Sequence, residues 1–157
     1  MGRALFVDGS VNPQTRVGYG ACLCLPSVAC LQVPNNQAAH IQTRRFENTS
    51  STQLELEALL WALESVSVAT TVTVYTDCQN IMQLIVRRDR LEANNFCNKK
   101  GEVLAHALLY RRFYRYYDAL AFNLVKLKGH KPAAGRSALD QWFSMVDRAA
   151  RAACKQG

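Results

Sequence analysis

No long hydrophobic run occurs anywhere in the sequence. The longest uninterrupted apolar stretch is the six residues Ala58–Leu63, whereas a membrane-spanning helix requires roughly 18 or more. Near the N-terminus the apolar stretch Ala4–Val7 stops at Asp8, too short for the core of a secretory signal. A cytoplasmic chain without membrane attachment is therefore expected. Also missing is any C-x-x-C pair. Cys22, Cys24, Cys30, Cys78, Cys97 and Cys154 are scattered, which speaks against a zinc ribbon, a dithiol redox centre or a disulfide framework. Cys22-Leu-Cys24 reads as two small apolar side chains on one face of a strand, and reduced thiols suit the cytosol. Repeats, low-complexity tracts and long linkers are absent too.

What remains is the composition of an ordinary globular domain. The 157 residues are 49% hydrophobic and 20% charged, which excludes a disordered tail, a collagen and a coiled-coil rod. A chain of this length buries roughly two thirds of its unfolded surface and needs no staple, so one domain over residues 1–157 is expected. The net charge of +7 is unevenly spread. Residues 1–86 carry four Lys/Arg against six Asp/Glu, residues 87–125 eight against four, and residues 126–157 seven against two. An acidic half is thus followed by a basic half, and a basic surface attracts polyanions, nucleic acid above all.

Ala4–Val7 is wholly apolar, as a strand buried on both faces is. Gly18–Leu25 and His40–Phe46 read as further strands, with a weaker one near Val28–Val33 and turns at Pro26 and Pro34. Thr49-Ser-Ser-Thr52 is a cluster of N-cap residues, and Thr52 with Glu55 has the spacing of a capping box. The helix that follows, Leu54–Ser67, is apolar nearly all round and therefore central. Thr71–Thr76 is strand-like, a helix runs from Cys78 to about Arg88, and Arg90–Lys100 is polar. A long helix from Gly101 to about Asp118, a strand at Ala121–Lys128, a loop at Gly129–Ser137 and an amphipathic helix at Ala138–Ala153 complete the chain. Crossovers imply parallel pairing and the opening meander antiparallel pairing. The expected architecture is an α/β fold with a mixed sheet and helices on both faces.

In that arrangement Asp8 and Asp77 each stand at the C-terminal end of a buried strand, the edge where open α/β sheets gather ligands. Singly, each is a turn former or N-cap. Together they would repel unless a cation came between, and a hard divalent ion suits oxygen ligands. Glu55 either closes a capping box or joins that pair. Glu57 and Glu64 point about half a turn away on the helix wheel and read as solvated.

Phe6-Val-Asp8-Gly-Ser10, the helix from Thr49 through Glu55 to Glu64, Tyr75-Thr-Asp77-Cys-Gln79, Lys128-Gly-His130 and Asp147-Arg-Ala-Ala-Arg151 follow one another in order. Together they resemble ribonuclease H, type 1. Each block is short by itself; the series spans Ala4–Ala153. The resemblance implies a ribonuclease H-like five-stranded mixed sheet and a four-carboxylate site holding two Mg²⁺ or Mn²⁺ ions. It places Asp8, Glu55 and Asp77 as the first three carboxylates and His130 as the catalytic-loop histidine. Gln79, Ser51 and Thr52 fall on positions that contact the minor groove of the substrate, and Ser10 joins them from the first block. Ser51-Thr52 stands where the family has two asparagines. For the fourth carboxylate, Asp140 has the usual spacing after His130, whereas Asp147 has the better-matching flanks; Asp147 is the preferred assignment.

The implied activity is endonucleolytic hydrolysis of the RNA strand of RNA/DNA hybrids to 5′-phosphate and 3′-hydroxyl ends. In-line displacement at a phosphodiester is served by two cations roughly 3.5–4 Å apart, on the attacking and leaving oxygens. Telling RNA from DNA requires a reader of the 2′-hydroxyl, which a wide minor groove displays. Arg87-Arg-Asp-Arg90, Lys99-Lys100 and Tyr110–Tyr117 interleave cations with aromatics, suited to phosphates and stacking. Tyr110, Phe113, Tyr114 and Tyr117 equally have the spacing of a core-facing stripe. Arg87, Arg88, Lys99 and Lys100 are the basic substrate-contact candidates. A non-catalytic hybrid-binding module, or another nuclease of the same fold such as a junction resolvase, is the alternative. A monomer with no obligate protein partner is expected.

Overall fold

The computed structural model describes residues 2–26, 40–66, 70–128 and 137–157. Five strands form one mixed sheet: β1 Arg3–Asn12, β2 Val17–Leu25, β3 Gln42–Phe46, β4 Val72–Thr76 and β5 Asn123–Lys126. Their order is β3-β2-β1-β4-β5. β1–β2 and β2–β3 are antiparallel, while β1–β4 and β4–β5 are parallel. The helices are α1 Ser51–Glu64, α2 Gln79–Ala93, α3 Ala107–Leu120 and α4 Ala138–Gln156. The weaker strand expected near Val28–Val33 lies outside the described residues, as does Cys30. The other five cysteines are free thiols.

The alternation of a strand explains how β1 serves two cores at once. Leu5 and Val7 face α1, α2 and α3, whereas Ala4 and Phe6 face α4. Central α1 buries Leu54, Leu56, Ala58, Leu59, Leu60, Ala62 and Leu63, each fully buried Leu being worth about 1.5–3 kcal/mol. The helix lies close because the sheet beneath it lacks side chains. A Cβ on Gly18 would meet Leu54 at 2.6 Å, and one on Gly20 would meet Ala58 at 2.8 Å. That close approach brings the start of α1 down onto β1. On the other face, α4 packs a stripe of Trp142, Val146 and Ala150 four residues apart against β1 and β2.

Several boundaries depart from the sequence expectation. The N-cap of α1 is Ser50, whose hydroxyl accepts from the Gln53 N–H at 3.3 Å. The Thr52/Glu55 capping box does not form, and Glu55 lies in the second turn. Thr49 is buried, donating its hydroxyl to Glu57 Oε1 at 2.6 Å, so Glu57 is half-buried and bonded rather than solvated. α2 continues to Ala93, because Leu91 extends the buried stripe of Ile81 and Leu84. α3 starts at Ala107, since a turn at Asn98–Gly101, with Gly101 at φ 82°, and a Cys97–Val103 bridge occupy the preceding residues.

Phe113 and Tyr114 are buried and Tyr110 and Tyr117 half-buried, packing as a core stripe. Arg88 is drawn into the same packing. Its Nη1 and Nη2 donate to Asp118 at 2.6 and 2.7 Å, its Nε donates to Glu92 at 3.2 Å, and its guanidinium stacks 4.9 Å from the Tyr114 ring centre. Asp118 is held below the usual carboxylate range by this guanidinium. Arg88 therefore joins α2 to α3 and drops out of the basic substrate-contact candidates. Arg88→Ala is expected to lower the thermal midpoint without changing the salt dependence of nucleic-acid binding; Arg90→Ala, at the exposed end of α2, does the reverse. A salt titration of affinity beside a melting curve separates the two.

Candidate active site

β1 does not stop at Asp8. It runs on to Asn12, with Asp8 opposite Ala21 of β2. The neighbour on the other side is what ends: Phe6 pairs with Tyr75, and β4 closes at Thr76. Asp77 therefore leaves the sheet alongside Asp8, where the parallel partner has stopped. By strand alternation Asp8 falls on the Phe6 side and faces α4. Glu55 arrives from α1, lowered onto the sheet by the glycine floor.

Oxygens of Asp8, Glu55 and Asp77 lie within 4.8 Å of one another. Asp147, on the α4 stripe next to Val146, hydrogen-bonds the Asp8 carboxyl. All four line one cavity of about 550 Å³, joined by Ser10, Ser51 and Asp140 and by the cations Lys128, Arg148 and Arg151. Asp147 and Arg151 form an ion pair one turn apart, at 3.3 Å. Asp140, two turns before Asp147, has a different assignment. Its carboxylate accepts from the N–H and the hydroxyl of Ser137 at 3.0 Å each, while Ser137 Oγ accepts from the Asp140 N–H, a complete capping box.

Crowding four carboxyls in this space is costly without a cation. Asp8 is held far above the ordinary carboxylate range, by burial first, then by the bond to Asp147 and the charges of Glu55 and Asp77. Glu55 is raised as well, by burial and then by Asp77 and Asp147. Its Oε2 is buried and has no hydrogen-bond partner. An orphaned carboxylate oxygen among close hard oxygen donors fits a hard divalent ion.

The sign of the pH effect follows. The folded, metal-free chain keeps protons that the unfolded chain releases, so stability in chelator falls as pH rises from about 4.5 to about 8. Added Mg²⁺ or Mn²⁺ is expected to raise the thermal midpoint, and more at pH 8 than at pH 5.5. A midpoint in chelator that climbs over this interval would contradict the arrangement.

Other sequence candidates are dispersed. Gln79 is exposed at the first turn of α2, and Lys99 and Lys100 are exposed at the turn between α2 and α3, none of them lining the cavity. Thr52 and Arg87 line a different cavity. His130 lies outside the described residues. Arg148 and Arg151 were legible only as motif flanks, although Arg151, four residues beyond Asp147, shares its face of the helix.

The family profile described as RNase H matches residues 2–155. The chain belongs to the ribonuclease H family. This membership agrees with the resemblance carried by the motifs and with the enzyme class it implies. A foamy viral protease-reverse transcriptase, solved in complex with RNA/DNA hybrid, superimposes on this ribonuclease H chain with a TM-score of 0.71 at 12% identity. The match covers 99% of this chain and 20% of the viral one, so the chain spans about a fifth of that protein's length. At this identity the likeness concerns the fold, a five-stranded mixed sheet with helices on both faces. No curated protein sequence matches the chain. Among the described residues no helix is long and apolar enough to cross a membrane.

Proposed function

We propose that residues 1–157 form one nuclease domain that hydrolyses the RNA strand of RNA/DNA hybrids, leaving 5′-phosphate and 3′-hydroxyl ends. The reading is carried by one observation: the convergence of Asp8, Glu55 and Asp77 at the open edge of a ribonuclease H sheet. Asp8, Glu55, Asp77 and Asp147 would hold Mg²⁺ or Mn²⁺, two ions by the family's pattern. When bound, such ions supply a nucleophile at neutral pH and counter-charge for the attacking and leaving oxygens.

The chain's own residues do the rest. Four carboxylates repel a phosphodiester, and Lys128, Arg148 and Arg151 at the same cavity offset that repulsion. Ser51 and Thr52, exposed in the first turn of α1, present hydroxyls that both donate and accept, suited to a 2′-hydroxyl and base edges in a minor groove. Two hydroxyls in place of two amides offer shorter reach and fewer donors, so base-edge contacts are fewer than in relatives with asparagines. The resemblance gives His130 the role of assisting water activation or product departure.

The test is incubation of labelled RNA/DNA hybrid, DNA duplex and RNA duplex with the protein and Mg²⁺. Cleavage confined to the RNA strand of the hybrid is expected. Equal cleavage of the RNA duplex would overturn the substrate assignment, and none at all would favour a binding module.

A further inference from the structure

We propose that the hydrogen bond from Thr49 to Glu57 positions the first turn of α1, Ser51 and Thr52, so that these two residues behind it set how tightly the hybrid is held. This rests on the hybrid-nuclease reading and adds two positioning residues to it. The first turn is weakly held by its own chemistry. It has no acidic residue, and its side-chain cap, from Ser50, is long at 3.3 Å. Ser51 and Thr52 are both exposed, so core packing does not fix them. Thr49, which is 1% exposed, supplies what is missing. Its N–H donates to the Arg16 carbonyl at 3.0 Å, its carbonyl accepts from the Arg16 Nε at 3.4 Å, and its hydroxyl donates to Glu57 Oε1 at 2.6 Å.

One residue thereby ties the turn between β1 and β2 to the entry of α1 and to the second turn of that helix. Both sides of this junction hold a left-handed backbone conformation, Arg16 at φ 61° and Asn48 at φ 52°. Residues other than glycine keep it only where surrounding contacts enforce it. A hydroxyl-to-carboxylate distance of 2.6 Å is that of a charge-assisted bond, and burial of the donor makes its loss costly. Glu55, by contrast, is anchored independently. Leu54, Leu56 and Ala58 beside it are buried, and Leu54 and Ala58 rest on the glycine floor. Removing the Thr49–Glu57 bond therefore frees the reading turn and leaves the carboxylate cluster in place. The signature is a raised KM with kcat preserved.

The experiment measures KM and kcat for labelled RNA/DNA hybrid in Mg²⁺, and affinity in chelator, for the wild-type chain, Thr49→Val and Glu57→Ala. Either variant is expected to raise KM and weaken affinity about tenfold, with kcat within about twofold of the wild type. Thr49→Ser and Glu57→Gln, which keep the donor and an acceptor, return KM to within about threefold. In a Ser51→Ala/Thr52→Ala background Glu57→Ala adds less than about twofold, because the turn no longer carries the groups to be positioned. A contact that serves stability alone adds its full effect there. Should Thr49→Val misfold, as its melting curve reveals, Glu57→Ala at a half-buried position gives the same readings. An unchanged KM, a loss confined to kcat, no rescue by the conservative variants, or a full tenfold effect in the Ser51→Ala/Thr52→Ala background overturns the inference. The same pattern of affinities in chelator without cleavage in Mg²⁺ keeps the positioning role and overturns only the nuclease reading.

Discussion

Asp8→Asn or Asp77→Asn is expected to lower the rate of RNA-strand cleavage by roughly 10²–10³-fold or more, the scale of losing one essential electrostatic partner. Hybrid affinity in chelator should hold or rise, because Asp77→Asn removes a negative charge facing a polyanion and Asp8→Asn puts a neutral amide where the metal-free carboxyl keeps its proton. The two effects point in opposite directions, so misfolding cannot imitate them. Asp8→Asn should also melt higher than the wild type in chelator near pH 8, since Asp8 is buried against three other carboxyls. A gain in stability with a loss of activity is what a site built from like charges gives when one is removed. Single-turnover cleavage, binding in chelator and a melting curve measure the three quantities.

The two aspartates of α4 should separate as sharply. Asp147→Asn is expected to reduce the rate by orders of magnitude at millimolar Mg²⁺ with the fold intact, because this carboxyl bonds Asp8 and adds its charge to Glu55. Asp140→Asn should leave the rate almost unchanged. Its carboxylate caps α4 through Ser137, and losing the charge beside a helix N-terminus costs about 0.3–1 kcal/mol. Cleavage rates and denaturation midpoints for the two variants, side by side, decide the matter. The reverse pattern would shift the fourth carboxylate by two turns.

Much of this was readable in the residues, for physical reasons that also mark where reading stops. β1 announces itself because its Ala4–Val7 segment, buried on both faces, is wholly apolar, β4 because its residues are β-branched or aromatic, and α1 because a central helix is apolar all round. The cap of α1 was not decidable, since Thr49, Ser50, Ser51 and Thr52 all have capping side chains. The choice falls to Ser50 only because Thr49 turns inward to Glu57. α2 looks finished at Arg88 by composition, yet buried Leu91 carries the stripe one turn further. Arg88 itself looked like a free cation because its partner, Asp118, is 30 residues away. Asp147 and Asp140 share a face of α4, so only the position of Asp8 across from the helix distinguishes them. The cavity lined by Thr52 and Arg87 has no local sequence signature, because three helices must meet to form it.

The central claim is metal-dependent hydrolysis of the RNA strand, and end-group analysis of one reaction tests it most directly. A hybrid labelled in the RNA strand is incubated with the protein in Mg²⁺ and, in parallel, in excess EDTA, and the product termini are identified by mass. The account predicts 5′-phosphate and 3′-hydroxyl ends in Mg²⁺ and intact RNA in EDTA. Cleavage that persists in EDTA, or 2′,3′-cyclic phosphate ends made by the RNA's own 2′-hydroxyl, would contradict it.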